Sequence, residues 1–127
     1  MKLPRRFALF LRVVLVALTL GLLSPLPAFA LSAKEEARVD AMLAALAKRT
    51  DLVFIRNGEK HNAADAVAHL RLKLSRTRNR LDTAEEFIDK VASSSSMSGE
   101  PYTIQQAGKP AQPAKPFLHE LLKQVSP

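Results

Sequence analysis

Three side chains able to bind a metal or carry a proton recur along one stretch of the chain, at His61, Asp65 and His69. Their spacing would place all three on one side of a helix. Because a helix rises ~1.5 Å per residue, the two imidazoles would then stand ~12 Å apart. A zinc ion needs its nitrogen ligands ~2.1 Å away. We therefore predict no metal site and no cofactor, and favour an i, i+4 contact between Asp65 and His69.

A run of serines over residues 93–98, interrupted by Met97, raises the alternative of a small hydrolase with His69 or His119 as its base. An α/β-hydrolase holds its nucleophile in a Gly-x-Ser-x-Gly turn between a strand and a helix. No such pattern occurs in this sequence. Consecutive serines are typical of a helix terminus, because their hydroxyls compete for backbone hydrogen bonds. We therefore predict no catalytic residue among them.

More than half of the net positive charge of the chain comes from its N-terminal residues. The 127 residues include 19 Lys and Arg against 12 Asp and Glu, but four of the basic residues precede residue 13. The part from residue 31 onward therefore carries 15 against 12, which is too weakly basic for a typical nucleic-acid-binding domain. Five basic residues between Arg71 and Arg80 predict a solvated helix end, with contact to anionic lipid headgroups or an acidic partner as the alternative. We predict no nucleic-acid partner.

Residues 1–30 have the layout of a secretory signal peptide. A basic start is followed by the apolar run Val13–Leu23, and Pro25 and Pro27 then break any helix. Small residues at 28 and 30 predict cleavage between Ala30 and Leu31, a periplasmic location and no membrane span in the mature protein. An uncleaved anchor is the alternative reading. The absence of cysteine excludes a lipoprotein anchor.

The elements that would position these residues are mostly helical. Apolar residues at helical spacing predict helices over Ala33–Lys48 and from about His61 to Arg80, a third capped by Asp82 or Thr83, and a last one opened by Pro116. Two short extended segments, Leu52–Arg56 and Tyr102–Gln105, lie between them. We predict a mainly α fold over residues 31–127. It is a single small domain of about four helices, in which the two extended segments could pair as a minor β-ribbon.

Four ordered blocks of this sequence resemble the YfeK-type family of small exported proteins of Gram-negative bacteria, built around a domain of unknown function (number 5329). The blocks are Phe54–Gly58, Ala66–Leu74, Thr83–Ile88 and Ser95–Tyr102. The resemblance implies a periplasmic, mostly helical protein and no established activity, cofactor or catalytic residue. Its members often carry a cysteine near positions 52–53 and another near 105–106, whereas this chain has none.

Polar residues within these blocks define a candidate site. Core packing would not require Arg56, His69 or Tyr102, which could form one buried hydrogen-bond network or line a small pocket. We favour the network, because buried polar groups need hydrogen-bond partners. Leu72 lies on the polar side of helix two, where the last helix or a partner would cover it. The candidate binding residues are Arg56, Asn57, His69, Leu72, Arg76, Ser98, Gly99 and Tyr102. We predict a non-catalytic binding or interaction module whose partner is an envelope protein or another envelope component. A hydrolase or enzyme-like protein with a pocket around His69 and Tyr102 is the alternative.

Overall fold

Helices and strands alternate along residues 30–126, the part of the chain that this computed structural model describes. The helices are α1 (Ala33–Ala47), α2 (Ala63–Thr77), α3 (Ala84–Phe87) and α4 (Ala114–Val125). A 3₁₀ turn (Arg78–Arg80) follows α2, and a π-helical turn (Ile88–Ala92) continues α3. The strands are β1 (Leu52–Arg56), β2 (Glu59–Asn62), β3 (Thr103–Gln106) and β4 (Gln112–Pro113). The predicted signal peptide lies outside the described residues except for Ala30, and its cleavage stays a prediction.

The sheet corrects the predicted fold class. It has four strands in the order β2-β1-β3-β4, all antiparallel, so the prediction of a minor two-segment ribbon is wrong. Helices still account for 56% of the described residues and strands for 18%. The two predicted segments pair with each other, and Phe54 lies opposite Ile104. Val53 lies opposite Gln105.

The start of α2 also differs from the prediction. His61 belongs to β2, where it pairs with Phe54, and Asn62 is the N-cap of the helix. The Asn62 Oδ1 atom accepts a hydrogen bond from the Asp65 amide at 2.8 Å, which satisfies one of the free amides of the first turn. His61, Asp65 and His69 therefore do not share one helical face. The last helix begins at Ala114, two residues before the predicted Pro116.

The core lies between the helices and one face of the sheet. Leu52 and Phe54 alternate with the half-buried Val53 and Ile55, so β1 turns one face inward and leaves the other partly open. Four residues of α1 are fully buried at the predicted spacing: Val39, Met42, Leu43 and Leu46. None of the helices within residues 30–126 is long and apolar enough to cross a bilayer.

The guanidinium group of Arg38 connects three helices through hydrogen bonds. Arg38 of α1 donates to Glu85 of α3 at 2.6 Å and to Glu35 at 2.9 Å, and its Nε donates to Ser126 beyond α4 at 3.1 Å. These hydrogen bonds raise the pKa of Arg38 and lower that of Glu85. These contacts fix α1, α3 and the end of α4 relative to one another.

Candidate functional site

The β1–β2 turn presents an asparagine side chain to a distant loop. Asn57 and Gly58 both have positive φ, at 51° and 79°, as a tight primed hairpin turn requires. The Asn57 Nδ2 atom donates to Ser95 Oγ at 3.3 Å, and Ser98 Oγ donates to Asn57 Oδ1 at 2.8 Å. One turn residue therefore holds the loop between the π-helical turn and β3.

This serine loop, residues 93–101, is closed by its own hydrogen bonds. The Ser95 amide donates to the Glu100 carbonyl, and the Tyr102 amide donates to the Ser93 carbonyl, both at 2.9 Å. The Ser93 hydroxyl donates to the Ile88 carbonyl at 2.5 Å. Among the described residues none of these serines bonds to a histidine. Ser93, Ser95 and Ser98 are thus engaged in holding the loop.

Lys73 connects α2 to the serine loop and β3 from within the core. Its side chain is only 8% exposed, and Nζ donates to the Ser94 carbonyl at 2.8 Å and to the Tyr102 hydroxyl at 3.1 Å. Burial, and then the charge of Arg56, lower the pKa of Lys73. Burial raises the pKa of Tyr102. The sequence predicted Lys73 to be one of the solvated basic residues, and this is wrong. Its position between Leu70 and Leu74 places it beside the buried apolar face of α2.

A basic pocket opens where α2, the hairpin turn and the serine loop meet. Its volume is about 350 Å³. Its lining is Arg56, Asn57, His69, Lys73, Arg76, Ser95, Ser96, Met97 and Tyr102. No Asp or Glu belongs to this lining, so every charged group that faces the pocket from the described part of the chain is positive.

The cations of the pocket differ from two nearby arginines, one on α2 and one in the 3₁₀ turn that follows it. Arg71 lies 3.2 Å from Asp40, and Arg78 lies 2.7 Å from Glu36. Within residues 30–126, by contrast, no carboxylate lies within ion-pair distance of Arg56, Lys73 or Arg76. The basic pocket therefore holds the uncompensated part of the charge of α2.

The positive charges around the pocket contribute to a lowered pKa of His69. Its pKa is lowered first by burial and then by the charges of Arg56, Lys73, His61 and Arg76. The imidazole is therefore neutral at pH 7, because its ordinary pKa of ~6.5 already lies below that pH. A bound anion would offset the repulsion and favour the protonated ring.

A second, smaller cavity lies behind the pocket and shares Arg56, His69 and Tyr102 with it. Its volume is about 20 Å³, the size of one water molecule. His61 also lines it, and His61 Nε2 is buried without a hydrogen-bond partner among the described residues. The nearest carboxylate oxygen, on Glu59, is 3.7 Å from that nitrogen, which is too far for a hydrogen bond.

The structure brings most of the predicted site residues together. Arg56, Asn57, His69, Arg76 and Tyr102 line the basic pocket, and Ser98 and Gly99 belong to the serine loop beside it. Leu72 does not line the pocket and stays 47% exposed on α2, so α4 does not cover it. Tyr102 bonds to Lys73, whereas no hydrogen bond joins Arg56, His69 and Tyr102 to one another. The favoured prediction, a hydrogen-bond network among these three residues, is therefore wrong, and they line a pocket instead. No group of three metal-ligating side chains occurs among the residues described.

Two substitutions of Asn57 separate its backbone role from its side-chain role. We expect Asn57→Ala to lower the free energy of unfolding by about 2 kcal/mol, since alanine pays ~1 kcal/mol for positive φ and the loop loses its hydrogen bonds. Asn57→Gly keeps the turn and should lower it by only about 1 kcal/mol. Urea unfolding followed by circular dichroism measures both. Equal losses in the two variants would show that the left-handed backbone contributes nothing.

These features define a small α+β domain, with helices on one face of an antiparallel sheet and a basic pocket at the end of its β1–β2 hairpin. The chain belongs to the family described as "Family of unknown function (DUF5329)", which matches residues 33–126. It is 62% identical over 89 residues to the protein described as "Uncharacterized protein YfeK" of Salmonella typhimurium. That alignment covers 69% of this chain and 74% of the relative. The resemblance found in the sequence is thus confirmed. No solved structure matches the chain.

Proposed function

We propose that this protein is a non-catalytic binding protein of the bacterial cell envelope, and that its basic pocket binds an anionic group of an envelope component. The observation that carries the proposal is the grouping of Arg56, Lys73 and Arg76 around one concavity with no carboxylate in its lining. The signal-peptide pattern of residues 1–30 supports export to the periplasm.

The positive charges that line the basic pocket favour a negatively charged ligand. Like charges that face one concavity repel one another, and this repulsion contributes to the lowered pKa values of Lys73 and His69. An anion would replace the repulsion by charge-assisted hydrogen bonds, which are roughly twice as strong as neutral ones. Arginine donors and hydroxyl groups are the partners that phosphate, sulfate and carboxylate oxygens use in proteins.

The hydrogen bonds of the serine loop support binding without catalysis. A serine nucleophile needs a base within hydrogen-bond reach, and His69 makes no hydrogen bond to a hydroxyl among the described residues. His119 lies elsewhere, with its Nε2 atom 2.6 Å from Asp89. No observation in the pocket favours the alternative of a hydrolase over a binding site.

Sulfate is a suitable probe, because it stays dianionic across the useful pH range. We expect sulfate to bind the purified protein in calorimetric titration at constant ionic strength, and Arg76→Gln to weaken binding about tenfold, the equivalent of ~1.4 kcal/mol. The matched control is Arg71→Gln, which removes the same charge from the same helix but outside the pocket. Equal weakening in both variants, or no binding by the wild type, would contradict the proposal.

The same titration has a predictable pH dependence. Below its lowered pKa, His69 gains a proton and adds a positive charge to the pocket. Sulfate should therefore bind more tightly as the pH falls below ~6.5, and His69→Gln should flatten this dependence.

A further inference from the structure

A third concavity, which we call the outer concavity, shares Ser96 of the serine loop with the basic pocket. Its volume is about 380 Å³, and its lining is Thr77, Arg80, Leu81, Lys90, Val91 and Ser96. Ser96 also lines the basic pocket. The exposed residue Ser96 therefore borders both concavities. No carboxylate belongs to the described lining of either.

Of the two cations that line the outer concavity, Arg80 is the one without a carboxylate partner among the described residues. Lys90 is already neutralised by Glu86, whose carboxylate is 2.7 Å from Nζ, and this contact raises the pKa of Lys90. Arg80 has no carboxylate within ion-pair distance in residues 30–126, and its guanidinium donates only to the Arg76 carbonyl at 3.4 Å. Arg76 lies in the last turn of α2 and Arg80 four residues later at the end of the 3₁₀ turn, so the two residues are ~6–8 Å apart along the axis.

We propose that the ligand of this protein carries two phosphoryl groups, one bound in the basic pocket and the other by Arg80 in the outer concavity. This inference rests on the proposed function and adds the ligand class to it. A phosphoryl group has three terminal oxygens and a charge near −2. It can therefore accept hydrogen bonds from a guanidinium, an ammonium and a hydroxyl at once. Ser96 lines both concavities, and its hydroxyl makes no hydrogen bond among the described residues, so it is available to either group.

The test compares ligands with one and with two phosphonate groups. Methylphosphonate probes the basic pocket alone, and alkane bisphosphonates with about two to six methylenes bracket the ~6–8 Å spacing of Arg76 and Arg80 along the axis. Because the second group binds intramolecularly, we expect the best-matched bisphosphonate to bind at least ~10-fold more tightly than methylphosphonate.

Two arginine variants show whether the second group reaches Arg80. Arg80→Gln should remove most of the gain from the second phosphonate and leave methylphosphonate affinity within about twofold. Arg78→Gln is the matched control, because Arg78 is paired with Glu36 and lines neither concavity. If methylphosphonate does not bind, the proposed function fails. If it binds but no bisphosphonate binds more tightly, or Arg80→Gln leaves the gain intact, only the two-phosphoryl inference fails.

The two phosphoryl groups could belong to a soluble phosphorylated sugar or to the headgroup of a phosphorylated glycolipid. Sedimentation with phosphatidylcholine vesicles that carry a bisphosphorylated glycolipid distinguishes these sources. Arg80-dependent sedimentation assigns the ligand to a membrane surface. Binding of soluble bisphosphonate without sedimentation assigns it to the soluble class.

Discussion

Truncation of Phe87 to alanine is expected to lower the free energy of unfolding by about 4 kcal/mol. Phe87 is fully buried, and it is the largest of the fully buried side chains within residues 30–126. It lies where α3 passes into the π-helical turn, a segment that packs against α1, α2 and α4. Its removal leaves a cavity that three helices would have to close together. A domain of this size has about 5–15 kcal/mol of stability in total, so the variant should be close to unfolding at 37 °C.

The matched control for this prediction is Phe117→Ala. Phe117 is only partly buried on α4, and the Arg49 guanidinium lies 5.7 Å from the centre of its ring. We expect a loss of about 1.5 kcal/mol, from the smaller apolar area and the cation–π contact. Urea unfolding measures both variants. Similar losses for the two phenylalanines would show that Phe87 is not at the centre of the core.

The helices could be predicted because their signals are local. Thr83, one of the two residues predicted to cap the third helix, accepts a hydrogen bond from the Glu86 amide at 3.1 Å, and Ser32 caps α1 by accepting one from the Glu35 amide at 3.2 Å. Each helix buries the apolar side chains of one face, which come from successive turns. Such a face can be recognised from the spacing of apolar residues in a short segment of sequence.

The sheet could be predicted only in part because its outer strands carry no apolar alternation. β2 reads Glu-Lys-His-Asn, lies at one edge of the sheet and is mostly exposed, so its residues resemble the start of a helix. β4 is two residues long and includes Pro113. Both strands depend on partners elsewhere in the chain, and a sequence pattern does not reveal such pairing.

The candidate site was located from polar residues that packing would not require, and its central cation was missed. A lysine is rarely buried, so Lys73 was interpreted as part of a solvated helix end. Its partners, Ser94 and Tyr102, are 21 and 29 residues away along the chain. Asn57 likewise contacts Ser98 across 41 residues. The site is built from long-range hydrogen bonds, which leave no local signature in the sequence.

Lys73→Met is expected to lower the free energy of unfolding by about 2 kcal/mol and to abolish sulfate binding. Methionine matches the lysine stem but offers no donor, so the Ser94 carbonyl and the Tyr102 hydroxyl lose their partner. Each unsatisfied buried group costs ~1–3 kcal/mol. Relief of the repulsion between Lys73 and Arg56 offsets part of this loss. Unfolding and calorimetric titration, the latter at a temperature where the variant is folded, measure the two effects separately.

Tyr102→Phe is the control that separates the two roles of Lys73. It removes the hydroxyl acceptor but keeps the ammonium group and its bond to Ser94, so we expect a loss of about 1 kcal/mol and sulfate affinity within about threefold of wild type. If Lys73→Met has the same free energy of unfolding as wild type, the buried hydrogen bonds of Lys73 contribute nothing to stability. If it is destabilised but still binds sulfate normally, Lys73 acts as a structural tie and Arg56 and Arg76 hold the anion without it. Loss of both properties in Lys73→Met, with binding kept in Tyr102→Phe, means that the buried ammonium both fastens the serine loop to α2 and supplies charge to the pocket.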